Sequence, residues 1–307
     1  LGELKNSSEI NSKIIYLHQD LFKETFGKMF SVFLQGGLGN QLFQLFTALA
    51  YSLKYNAKLE IPTYKWDVDT RPTYWDTLFK KLKDFKYINE GLKPGSLKRH
   101  IEDGFHHTDI PKKDGFILFG YFQSYKYFEK EYEQIMKKFG IRLLQQVVRG
   151  KYLRLPESIS LHFRIGDYKH HQFHWLIMDN QYYINAINHI IKKTGRTDWD
   201  IIYYCEEKDN EEVEQRIRYI QRRIPNCTFH KASDELKDWE QMLLMSASTH
   251  NVISNSSFSW WGAYFNPNPN KIVTYPAKWF GVAKQDNDTK DLCPPSWSKI
   301  TDEKNIK

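Results

Sequence analysis

One stretch near the start constrains this chain more than any other. The apolar run MFSVFLQ (29–35) gives way to Gly36-Gly37-Leu38-Gly39-Asn40, and apolar residues then recur at helical spacing. Leu42, Phe43, Phe46, Leu49, Ala50 and Leu53 mark one face of a helix over 41–55. KLEI (58–61), stopped by Pro62, reads as the next strand. A strand, a glycine turn, a helix and a second strand open a βαβ unit, which commits the chain to a parallel sheet with helices on its faces.

The alternation returns further along. FILFGYF (116–122) reads as a strand, and Ser124 is expected to start a helix running to about Lys138. SISLHFR (158–164), DIIYYCE (200–206), CTFH (227–230), HNVIS (250–254) and KIVTYP (271–276) read as strands. Helices are expected between them near 180–193, 209–222, 236–247 and 257–265. The fold class is therefore α/β, with two Rossmann-like parallel-sheet lobes facing a central cleft. A chain of 307 residues has room for both. The lobes are expected to meet around 140–157, giving an N-terminal lobe of 1–150 and a C-terminal lobe of 151–307. Residues 1–28 read as a peripheral arm, and 62–113 as an irregular, aromatic insertion.

A formal charge of +7 suits an anionic ligand, but acids are interspersed with the bases, as in KYFEKEYEQIMKK (126–138). No basic run with interleaved aromatics resembles a nucleic-acid module. Cys205, Cys227 and Cys293 are too few and too scattered for a disulfide framework or a zinc site, so a reducing, cytoplasmic setting is expected. No apolar run reaches the roughly 20 residues that span a bilayer, and no membrane span is expected in this chain.

Three segments carry the chemistry, each at the end of an apolar strand, where open α/β sheets hold their ligands. In the first, Gly37 and Gly39 let backbone approach a ligand, a helix N-terminus offers N–H groups to an anion, and Asn40 is expected to cap that helix. The third glycine of a dinucleotide fingerprint is absent, although Glu60 stands where its ribose-binding acid would be. The second segment is His162-Phe163-Arg164-Ile165-Gly166-Asp167-Tyr168. Arg164 offers a planar fork of donors to a diphosphate, or pairs with Asp167 as a structural ion pair. The third runs from Ser254 to Ala263, where Asn255, Ser256, Ser257 and Phe258 open a helix able to face a phosphate. Trp260 and Trp261 are expected to anchor that helix against its sheet. Asp67 and Asp69 imitate a metal-binding DxD but follow a poor strand, and His170, His171 and His174 lack an acidic partner, so no metal site is expected.

In combination and order, GGLGNQLFQ (36–44), HFRIGDY (162–168) and NSSFSWWGA (255–263) resemble the motifs of the α-1,2-fucosyltransferase family, glycosyltransferase family 11. GYFQSYKYF (120–128) adds a fourth match, and the likeness covers about residues 30–280. The resemblance implies a GT-B architecture and inverting transfer of L-fucose from GDP-fucose to an acceptor glycan, α-1,2 to galactose, with no cofactor or metal. Arg164 would then hold the departing diphosphate, and His162 and Asp167 would shape the nucleotide pocket. Asn255, Ser256, Ser257 and Phe258 would line its phosphate side, Gly37, Gly39 and Asn40 would face the donor from the first lobe, and 62–113 would help choose the acceptor. His162, Asp167 or a first-lobe carboxylate would be the general base. Two positions depart from the family. Tyr204-Cys205-Glu206-Glu207 stands where a Ser-Asp-Asp is usual, and Gln241 where an acid is usual, which leaves another nucleotide-sugar donor open. A nicotinamide-dependent oxidoreductase would explain only the first loop, and a non-catalytic glycan-binding module would explain the aromatic surplus.

Overall fold

The computed structural model describes residues 29–62, 72–84, 87–93, 95, 97–152, 154–155 and 157–303. The expected arm at 1–28 and the acidic pair Asp67 and Asp69 lie outside the described residues.

The first lobe begins with β1 (Met29–Val32), wholly buried as a central parallel strand must be. Helix α1 (Leu38–Tyr55) follows and is buried on nearly every face, so it lies inside the protein rather than on its surface. It ends at Asn56 in the left-handed region, whose N–H bonds Ser52 O. After it come β2 (Lys58–Leu59), β3 (Ile61–Pro62), a short α2 (Lys80–Asp84), β4 (Ile88–Asn89), β5 (Lys98–Ile101) and β6 (Phe116–Phe119). The main sheet has the order β2-β1-β6-β5, all parallel, while β3 and β4 pair separately. The insertion expected to be irregular thus contributes β5; its sequence KRHI lacks the apolar run that would announce a strand. The expected helix from Ser124 is a 3-10 turn at 125–127 followed by α3 (Tyr132–Phe139), and α4 (Ile141–Tyr152) leads on to the second lobe.

The second lobe contains β7 (Ser158–His162), α5 (Asn180–Thr194), β8 (Asp200–Tyr204), α6 (Asn210–Gln221), β9 (Thr228–Lys231), α7 (Asp238–Met245), β10 (His250–Val252), α8 (Ser257–Tyr264), β11 (Val273–Pro276) and β12 (Ser298–Ile300). Its sheet is parallel throughout in the order β12-β11-β10-β7-β8-β9. Starting from β7, the chain builds outward through β9, then returns to the other side of β7 and builds outward again. This is the Rossmann order, with its reversal between β7 and β10. In the first lobe the order reverses between β1 and β6, but the chain reaches that side through the edge strand β5 before β6. The expectation of two parallel-sheet α/β lobes is met.

One aromatic core joins the lobes. Phe43 and Phe46 of α1 contact Trp261 of α8 at ring separations of 5.0 and 4.5 Å, and Phe128 stacks on Trp261 at 5.3 Å. Trp260 lies 4.5 Å from Phe43 and donates its Nε1 hydrogen to Leu292 O. The two tryptophans therefore anchor α8 against the other lobe's central helix, a correction to the expectation that they face their own sheet.

Candidate functional site

One cleft, of about 540 Å³, is lined by strand-end loops of both lobes: those following β1 and β6 in the first, and β7, β8 and β10 in the second. Each lobe thus presents both sides of its own strand-order reversal. The rim includes Pro72, Tyr74 and Phe105 from the insertion and Trp175, Trp279 and Lys284 from the second lobe.

The glycine loop solves three local problems. Gly36 has φ +74°, which a side chain would strain. Gly37, the residue before α1, faces open space, so a ligand can reach its backbone. Gly39 lies so close to α8 that a β-carbon there would stand 2.4 Å from the Ser257 carbonyl carbon and 2.6 Å from Phe258 N. The first turns of α1 and α8 consequently meet backbone to backbone at the cleft, and the partial positive charge of two helix ends gathers there.

Asn40 is not the cap of α1, as the sequence suggested; Gly37 occupies that position. The Asn40 side chain reaches across the cleft instead. Its Oδ1 accepts from Ser257 Oγ at 2.7 Å and from Gln123 Nε2 at 2.8 Å, joining the loops that follow β1, β6 and β10. Ser256 caps α8, its Oγ accepting from Phe258 N at 3.3 Å. The loop after β6 is held in a costly shape, with Phe122 at φ +52°. Glu102, mostly buried, accepts from Tyr121 N at 2.7 Å and steadies that loop; burial raises its pKa against the pull of those backbone N–H groups.

Arg164 sits between two carboxylates, one nitrogen on Asp167 and another on Glu206, with its guanidinium 4.9 Å from the Tyr168 ring centre. Burial works against its charge, but Tyr168, Asp167 and Glu206 outweigh that and hold the pKa above its ordinary value. Arg164 is therefore ion-paired, as one of the two sequence alternatives has it, and it also lines the cleft. His162 is buried, with Nδ1 3.0 Å from Ser254 Oγ. Burial and the Arg164 charge push its pKa down to about 3, so the ring is neutral and a poor proton acceptor near pH 7. Asn255 gives its Nδ2 hydrogens to Leu176 O and Trp279 O, while its buried Oδ1 has no hydrogen-bond partner among the described residues.

The first loop, His162, Arg164, Asp167 and residues 255–258 all come together. Glu60 does not; it bonds Lys58 and Asn89 away from the cleft, which removes the support for a dinucleotide site. Of the two departures from the family pattern, Glu206 and Gln241 line the cleft and Glu207 does not. Sequence reasoning missed Tyr74, Trp175, Asp238 and Lys284. Tyr74 donates to Asp238 from across the cleft, a pairing that no local pattern announces. Among the described residues no His, Cys, Asp or Glu cluster could hold a metal, and no helix is long and apolar enough to cross a membrane.

The sequence model of Glycosyl transferase family 11 matches residues 11–298. An Alpha-1,2-colitosyltransferase of Escherichia coli is 26% identical over 293 residues, covering 87% of this chain and 97% of the relative. The O-antigen biosynthesis glycosyltransferase WbnK of Escherichia coli is 27% identical over 314 residues, covering 87% and 99%. Among solved structures, the ADP-heptose lps heptosyltransferase II of E. coli aligns with TM-score 0.45 at 10% identity, over 89% of this chain and 90% of that one. The fucosyltransferase NodZ from Bradyrhizobium aligns with TM-score 0.41 at 10% identity, over 78% and 94%.

Proposed function

Because the chain belongs to glycosyl transferase family 11 and is thus a glycosyltransferase, we propose that it moves L-fucose from GDP-fucose, with inversion, onto a glycan hydroxyl, α-1,2 to galactose. The observation that carries this reading is the meeting of Arg164, the α8 N-terminus and the Gly37–Gly39 backbone in one cleft. These groups suit a diphosphate, and in this reading they bind it without a metal.

The chemistry follows from where charge builds. As the bond from sugar to phosphate stretches, the ring gains oxocarbenium character and the leaving diphosphate gains negative charge. Arg164, the N–H groups opening α8 and the hydroxyls of Ser256 and Ser257 meet that charge from fixed positions. The acceptor hydroxyl attacks the opposite face of the sugar, which inverts it, and its proton passes to a carboxylate. Asp167 and Asp238 line the cleft and are the candidates. His162, kept neutral, is assigned to hydrogen bonding with the donor, beside Asn255 and Phe258.

A colitosyl donor is the second reading, favoured by the likeness to the Alpha-1,2-colitosyltransferase and by Glu206 and Gln241 in the cleft. Incubation with GDP-fucose or GDP-colitose and a β-galactoside, in EDTA, tests both. A new α-1,2 linkage seen by NMR, formed with GDP-fucose, would support the first; product with GDP-colitose alone would establish the second. Release of free sugar with no glycoside formed would contradict transfer.

A further inference from the structure

The cleft holds a second cation, placed differently from the first. Lys284 ends the turn 282–284, and its Nζ stands 4.0 Å from the Trp175 ring centre. No carboxylate pairs with it among the described residues, whereas Arg164 has two. Burial draws its pKa below the ordinary lysine value, and among the described residues no nearby acid opposes that.

The position of Lys284 is built. Gly281 N donates to His174 O and Ala283 N to Phe173 O, both at 2.9 Å, which bolts the turn to the segment carrying Trp175. That approach requires glycine, because a β-carbon at 281 would lie 2.6 Å from both Gln172 O and Phe173 O. Asn255 fastens the same two segments through Leu176 O and Trp279 O, while its own Oδ1 has no partner among the described residues. Trp175 is stacked on Tyr168 at 5.8 Å, and Tyr168 lies against Arg164. Two aromatic rings therefore lie between the cations in this chain of contacts. The Lys284 end also faces the first lobe: Phe280 contacts Trp175 at 5.4 Å and Phe105 of the insertion at 4.8 Å.

We propose that Lys284 and Trp175 form an acceptor subsite for a sugar bearing a carboxylate, so that the preferred acceptor glycan is acidic. A fixed, partly desolvated ammonium without a counter-charge gains most from an anion that arrives with the ligand. With two rings between the ammonium and Arg164, and Phe105 of the insertion close by, that anion is assigned to the acceptor rather than to the donor diphosphate. The inference rests on the glycosyltransferase reading above.

The test compares methyl β-D-galacturonoside with methyl β-D-galactoside by NMR titration in saturating GDP, for the unmodified protein, Lys284→Met and Lys284→Arg. The acidic glycoside should bind roughly tenfold more tightly than the neutral one, Lys284→Met should erase that preference, and Lys284→Arg should keep most of it. GDP affinity, followed in parallel by calorimetry, should stay within twofold. Equal binding of the two glycosides, or a preference that survives Lys284→Met, would overturn the subsite. So would a large loss of GDP affinity in Lys284→Met, which would place the ammonium on the donor. If the unmodified protein fails to bind GDP, the donor reading falls and takes the subsite with it.

Discussion

Gly39 and Ser257, on helices of different lobes, are in backbone contact, with room for a hydrogen but not a methyl group between them. Trp261 secures the same junction by donating its Nε1 hydrogen to Gly39 O at 2.9 Å. A backbone contact between the lobes and the candidate phosphate site are therefore one place. Gly39→Ala should destabilise the protein by about 1–3 kcal/mol through overpacking and weaken GDP binding as well. Urea unfolding with calorimetry checks both, and an unchanged midpoint would mean the contact yields without cost.

Glu206 competes for Arg164. A carboxylate already on the guanidinium must give up that contact, or share it, when a diphosphate arrives. Glu206→Gln should therefore raise GDP affinity, by roughly three- to tenfold. A clear drop in affinity would instead make Glu206 a direct contact of the nucleotide.

His162 ties stability to pH. Its folded pKa of about 3 lies below the 6.5 of an exposed histidine. Between those values the unfolded chain binds more protons, so this residue's share of stability is complete above about pH 6.5 and is lost as pH falls toward 3. His162→Gln should flatten the loss of thermal midpoint between pH 7 and pH 4.5. An equally steep loss in the variant would show that other groups dominate acid unfolding.

Asp167 and Asp238 can be separated as proton acceptors. Replacing the acceptor with Asn should lower turnover by about 10²–10⁴-fold, without weakening GDP binding. Replacing the other should leave turnover within a few fold. Comparable losses in both variants would contradict a single base.

Much of this was legible in the sequence because parallel strands are buried on both faces and read as plain apolar runs. MFSV, SISL and DIIYY announced themselves, and each chemical motif followed such a run. β5 did not, because KRHI lies at the sheet edge with much of its surface exposed. The role of Asn40 was misread because a capping position is local, whereas its partners Gln123 and Ser257 lie 83 and 217 residues away. Trp260 and Trp261 were recognised as anchors but assigned the wrong surface, since the packing partner of a helix depends on the whole fold. Lys284 carried no signal at all: one lysine among 44 basic residues becomes notable only once a turn sets it on Trp175.

The most direct measurement is calorimetric titration of GDP, in EDTA, into the unmodified protein and into Arg164→Ala. The unmodified protein should bind GDP without metal, and Arg164→Ala, still folded by circular dichroism, should bind at least tenfold more weakly. No binding by the unmodified protein, or equal binding by Arg164→Ala, would contradict a donor diphosphate held at Arg164 between the two lobes.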